Sequence, residues 1–138
     1  MSLLLLGKVA SIERSVARAR EEHAAAGGEF ALAFTHQDAA ILNILRGCEA
    51  AIDLANILIR ERGLGIPQSS RGSFQLLADA GLITPELSAA LQRMVGFRNV
   101  AVHQYQSLDL AIVEAVLVQG LDALLAFGRA VVVLSGQD

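Results

Sequence analysis

Cysteine, proline, tyrosine and tryptophan are all scarce in this chain, and each scarcity removes a class of explanation. Cys48 is the only thiol, which excludes an intrachain disulfide and a thiolate metal cluster. Proline and glycine are sparse between positions 1 and 62, and against abundant Ala, Leu, Arg and Glu this favours helix over strand. Positive charge is not in excess either: the net charge is −3, which argues against coating nucleic acid by bulk electrostatics. No charge-free apolar run reaches the ~18 residues of a membrane-spanning helix. The apolar opening Met1 to Gly7 lacks a basic lead and a small-residue cleavage site, so it is a poor signal peptide. A cytoplasmic protein with no membrane partner is expected.

What is present is apolar periodicity. With 138 residues and 54% hydrophobic content the chain can bury one core, so residues 1–138 are read as a single domain. A first helix is predicted over Lys8 to Ala26, with Val9, Ile12, Val16 and Ala19 inward and His23 solvated on a polar face. The second, Thr35 to Arg62, carries Ile41, Leu45, Cys48, Ile52, Ala55 and Ile59 at 4-3 spacing, with Ile44, Ala51 and Leu58 as a second row. His36 and Asp38 near its start are assigned to capping and dipole compensation, because no third ligand at helical spacing supports a metal. Gly63 and Gly65 break that helix but form no phosphate loop, lacking the lysine and the following Ser or Thr.

A short third helix is expected from Ser73 to Gly81. A fourth begins at Thr84-Pro85-Glu86, which reads as an N-cap, a first-turn proline and a dipole-matched acid. A fifth has Ser107 as N-cap and Asp109 in its first turn, then Val113, Leu117, Gly120, Leu124, Phe127, Val131 and Leu134 inward. The fold class is all-α, an up-and-down bundle of four to five helices. Two long helices with more apolar face than one bundle uses point to a homodimer.

The organising stretch is Met94 to Tyr105. If it is one continuous helix, Leu87, Leu91, Met94, Val95, Val102 and Tyr105 form one stripe, and Arg98 falls in the middle of it. An arginine cannot shed its charge, so burying it unpaired is costly. Arg98 therefore either lines a crevice shared with a partner or is neutralised by a carboxylate elsewhere in the chain. Residues 60–105 hold five arginines against Glu61, Asp79 and Glu86, a small basic zone in an acidic chain.

Asn99 and His103, four apart, face each other on a helix, so the amide can orient the imidazole. Arg98 and His103 are about 140° apart around a straight helix and would not converge on one ligand. Either the helix unwinds near His103, or a symmetric dimer joins one chain's arginine to the other chain's histidine. Both arrangements set a bidentate phosphate holder beside a group that titrates near neutrality, a pairing suited to RNA cleavage without a metal or a cofactor.

Ile66-Pro67-Gln68-Ser69, Phe74-Gln75-Leu76-Leu77, Gly81-Leu82-Ile83 and the whole of Met94 to Tyr105 resemble the HepT-like toxins of the HEPN superfamily, and Cys48 to Ala55 fits the same family's second helix. The likeness covers about residues 41 to 110. It implies a homodimeric helical bundle and a metal-independent endoribonuclease toxin with Arg98 and His103 catalytic and Asn99 supporting. It also implies a cognate minimal nucleotidyltransferase antitoxin that adenylylates Tyr105. Gln104 stands where the family often carries an acid, and Ser70 where many members carry an aromatic residue. The alternative is a non-catalytic helical subunit that binds and regulates a nucleotidyltransferase.

Overall fold

The computed structural model describes residues 2–137. Five helices make up the bundle: α1 (Leu3–Ala25), α2 (Phe34–Glu61), α3 (Ser70–Asp79), α4 (Pro85–His103) and α5 (Leu110–Gly136). No strand occurs among the described residues. The expected class holds, and so do the long apolar rows. Val9, Ile12, Val16 and Ala19 are buried on α1, and Ile44, Leu54 and Ala55 of α2 are wholly inaccessible. α2 packs chiefly along α1, α3 packs on α4, and α5 closes the bundle against α1, α2 and α4.

Local chemistry explains the boundaries. The Ser2 hydroxyl accepts from Leu5 N at 3.2 Å, so α1 begins at Leu3, earlier than its apolar rhythm indicates. α3 also starts early, because Ser69 caps it by accepting from Gly72 N at 3.0 Å. Thr84 caps α4 as expected, with Leu87 N at 3.1 Å. α5 is capped by Asp109, which accepts from Ala111 N at 2.9 Å, and not by Ser107, whose hydroxyl donates to Gln104 O. α2 and α3 both close through a left-handed glycine: Gly63 and Gly81 have φ of 63° and 75°. The next residues, Leu64 and Leu82, donate back to Ile59 O and Leu77 O, the Schellman arrangement that satisfies orphan carbonyls.

Two histidine assignments change. His36 does not cap α2; its Nδ1 lies 2.6 Å from Glu22 Oε2 on α1, while Arg18 holds the other oxygen of the same carboxylate. Both contacts, the His36 hydrogen bond first, hold the Glu22 carboxyl below the usual carboxylate range. His23 is half-buried and meets Phe30 edge-on at 4.9 Å. Asp38 caps nothing either, since α2 has no acid in its first turn and no side-chain cap.

α5 is long and apolar enough to cross a membrane by length and composition, with mean hydropathy 2.0. In the bundle it serves as a core helix: Val113, Leu117, Leu124, Phe127 and Val131 are buried, and Asp122 on its outer side pairs with Arg20 of α1 at 2.7 Å. A π-turn over Val116–Gly120 interrupts it. The turn brings Gly120 so close to α4 that an added Cβ would stand 2.9 Å from Met94 Sδ. The turn thus fixes how near α5 approaches the functional helix.

Phe74 and Phe127 meet edge to face at the centre, 5.4 Å between ring centroids. Since Phe127 is fully inaccessible, Phe127→Ala should lower the unfolding free energy by about 3–5 kcal/mol. Val133→Ala, on the exposed side of the same helix, should stay within ~0.5 kcal/mol. Urea titrations of both variants check the contrast.

Candidate active site

α4 presents Arg98 toward its neighbours in the bundle. Nε lies 3.0 Å from Glu49 Oε1 of α2, and Nη2 donates to Ser70 Oγ of α3 at 3.2 Å. The guanidinium is thus braced from two helices. Nε is buried, and although the Glu49 carboxylate is at ion-pair distance, the N–H is not directed at it, so Nε forms no hydrogen bond. The contact is a charge neutralisation with imperfect direction. The expected neutralising carboxylate is therefore Glu49, which the sequence reading did not single out as Arg98's partner. Ser70 is a positioning hydroxyl.

The stripe expected along α4 holds only in part. Leu91, Met94 and Val95 are buried as expected, but Val102 and Tyr105 are exposed, and Phe97 and Ala101 take the inward places near the helix end. The reason is that α4 ends at His103. Gln104 leaves helical geometry at φ −136° and ψ 42°, and Tyr105 to Ser107 form a separate 3-10 turn. The unwinding comes after His103 and not before it, so the helix does not turn His103 toward Arg98. His103 is exposed at the last helical position and makes no hydrogen bond or ion pair among the described residues. Asn99 is exposed too, and the expected amide contact to His103 is not formed among the described residues. In a single chain the structure therefore braces Arg98 against α2 and α3 and leaves His103 unengaged at the end of α4.

Tyr105 departs most from expectation. Its phenol does not share Arg98's stripe. The hydroxyl instead donates a hydrogen bond to Asp38 Oδ1 on α2, across 67 residues of sequence. Partial burial first, and then the hydrogen bond and charge of Asp38, push the phenol up to about 12. The residue remains 41% exposed, so a partner can reach it. Cys48, behind Arg98, is an inert core thiol: burial, with Glu49 beside it, pushes it up to about 12.

A cleft of about 810 Å³ lies beside this site and not in it. It runs between α4 and α5, lined by Arg71, Arg93, Phe97, Val100, Ile112 and Val116 among others, and includes none of Arg98, Asn99, His103 and Tyr105. Gly96 borders it because the Arg71 guanidinium rests on its Cα, where an added Cβ would stand 2.4 Å from Nη2. Among the described residues no three of His, Cys, Asp and Glu converge as a metal cage would require.

This all-α bundle, which braces an arginine between helices with a histidine closing the same helix, is of the HEPN type, as its likeness to a solved HEPN toxin shows. The model of the family described as ribonuclease HepT-like matches residues 12–131, and the chain belongs to that family. It is 48% identical over 122 residues to the mRNA nuclease HepT of Shewanella oneidensis, covering 88% of this chain and 91% of that protein. Among solved structures it is similar to the tri-AMPylated Shewanella oneidensis HEPN toxin in complex with MNT antitoxin, with a TM-score of 0.89, 46% identity and coverage of 95% and 98% of the two chains. A toxin-antitoxin structure with AMP-PNP matches with a TM-score of 0.89, 45% identity and coverage of 94% and 98%.

The chain's single tyrosine and lack of tryptophan give a clean reporter of the Asp38 contact. Tyr105 is raised above its ordinary value near 10. The stability linked to the protonated phenol, from its burial first and then from the Asp38 contact, is therefore fully present below pH ~10 and is lost as pH rises through about 12. Ultraviolet titration should find tyrosine ionising well above pH ~10 in the native protein. Asp38→Ala should move it down only part of the way, because burial is the larger cause.

Proposed function

We propose that this chain is the toxin of a toxin-antitoxin pair, a homodimeric endoribonuclease that works in the cytoplasm and is neutralised when a cognate minimal nucleotidyltransferase adenylylates Tyr105. The observation that carries the catalytic reading is the brace on Arg98. A charged fork is held in place by Glu49 and Ser70 while Nη1 makes no hydrogen bond among the described residues. Such a group is preorganised to take a phosphate oxygen. Membership of the HepT-like ribonuclease family and the likeness to a HEPN toxin bound to MNT antitoxin support the substrate and partner.

Arg98 holds the scissile phosphate, and His103 moves a proton at the ribose 2′-hydroxyl or the leaving 5′-oxygen. Asn99, one residue after the arginine and exposed, supports the substrate from the same face as His103. The two principal groups diverge within one chain, so a two-fold axis that sets one protomer's Arg98 near its partner's His103 completes the site. Exposed Val100 and Ile112 on the walls of the α4/α5 cleft support burial against a second copy. The proton and phosphate steps need no metal. The tri-AMPylated state of the Shewanella oneidensis toxin supports Tyr105 as the acceptor, because it is the chain's only tyrosine and its hydroxyl lies at an accessible turn.

Cleavage of RNA should persist in EDTA and fall by at least about 100-fold in His103→Ala. Arg98→Lys should also fail, since a point charge does not replace a bidentate fork. A gel assay of wild type, Arg98→Ala, Arg98→Lys and His103→Ala side by side checks this. Wild-type rates in Arg98→Ala and His103→Ala, or loss of cleavage in EDTA, would overturn the mechanism.

A further inference from the structure

Asp38 has an unusual position for an acid near the start of a helix. It neither caps α2 nor lies in its first turn, and its one hydrogen bond among the described residues is the one it accepts from the Tyr105 hydroxyl. The same contact is the only hydrogen bond the phenol makes among those residues. The carboxylate is exposed, as is the ring it holds, so a nucleotide brought by a partner enzyme can approach the phenolic oxygen with the carboxylate already in place. The inference rests on the reading that Tyr105 is the residue adenylylated.

We infer that Asp38 is the general base for that modification, so that the toxin supplies part of the machinery of its own neutralisation. In the step, the Tyr105 oxygen attacks the α-phosphorus of ATP and the phenolic oxygen to phosphorus bond forms. The bond from the α-phosphorus to the bridging oxygen breaks, and pyrophosphate leaves with its electron pair. The phenolic proton passes to the Asp38 carboxylate oxygen that already accepts it in the resting protein. No oxidant or further reactant is needed.

The physical case is one of timing. A phenol held up near 12 is almost wholly protonated at neutral pH, so free phenolate is too rare to be the working nucleophile. A carboxylate cannot take the proton from the resting phenol, but the oxygen turns strongly acidic as its bond to phosphorus forms. A carboxylate within hydrogen-bond reach then becomes the natural acceptor. Protein kinases place an aspartate against a substrate hydroxyl to the same end. Here the acceptor chain carries the aspartate on a neighbouring helix, and the transferring enzyme need only bring ATP and its metal.

The test uses the full chain, the cognate nucleotidyltransferase, ATP and magnesium, with intact mass read against time. Asp38→Asn keeps the shape and can still accept the hydrogen bond, but it cannot hold the proton. It should slow AMP transfer by about 100-fold or more with little change in the KM for the toxin, while Asp38→Glu retains a measurable part of the rate. Because the chain has one tyrosine, biosynthetic replacement by a fluorotyrosine makes a single phenol more acidic. That replacement should restore much of the lost rate in Asp38→Asn and change the wild type little, a rescue that a purely structural contact would not produce. Wild-type transfer rates in Asp38→Asn, or a slow variant that fluorotyrosine does not rescue, would overturn the role of Asp38. Tyr105→Phe separates the underlying reading: if it gains AMP like the wild type, the acceptor lies elsewhere. If it gains none while Asp38→Asn reacts normally, the acceptor stands and only the base is wrong.

Discussion

The brace on Arg98 is the constraint around which the rest of α4 is arranged. Placing a guanidinium against a helical core costs several kcal/mol if it is left unpaired. Glu49 is more than half exposed, at 56% for its side chain, so water weakens the attraction as well as the penalty, and the pair adds little net stability. Its value is positional. α4 cannot rotate without stripping Arg98 from both α2 and α3, and α3 cannot move away without losing Ser70. The phosphate-holding role proposed for Arg98 needs that fixity, and the bundle supplies it at a place where hydrophobic packing alone would have preferred a leucine.

Packing sets the remaining freedom of α4. Met94 touches Gly120 in the π-turn of α5, where no larger residue fits without a shift. Ser88 anchors the other side, its hydroxyl donating to Phe74 O at 3.1 Å and accepting from Gln92. The helix is therefore held from α3 and α5 at nearly every turn until it reaches Ala101. Beyond that point it has no buried neighbour, and Val102 and His103 face outward. Exposure at the end of α4 follows from where the core stops.

That boundary explains what could be read from the chain. The 4-3 rows of α2 and α5 were legible because core burial repeats over many turns, and one misplaced residue does not change the period. The ends of α3 and α5 were misread because Ser69 and Asp109 compete with nearby serines for the same capping task, and only backbone geometry decides between them. Arg98 stood out by charge against pattern. The helical period sets Tyr105 on Arg98's stripe because a period carries no mark of where a helix stops. Asp38 was assigned to the nearest local duty, since a contact over 67 residues leaves no local trace.

α2 joins these pieces. Asp38 and Glu49 are eleven residues apart, and Glu49 and Asn56 seven, so at ~100° per residue all three lie within about 20° of one line along the helix. Each receives a different segment: Asp38 the turn that carries Tyr105, Glu49 the arginine of α4, and Asn56 the Ser73 hydroxyl of α3 at 2.6 Å. One polar line beside the apolar rows therefore sets the places of Arg98 and Tyr105. Asp38 and Glu49 are separated by about 16 Å along the axis, so the contacts at the two ends have no shared atoms. Capping the phenol with phosphate would remove the donor that Asp38 holds and set an anion against its carboxylate, which frees the turn at one end. Glu49 and Ser70 would keep Arg98 where it is. Under the function proposed above, the modified protein would therefore keep Arg98 in place, and the freed turn with its added nucleotide would compete for the surface that RNA would use.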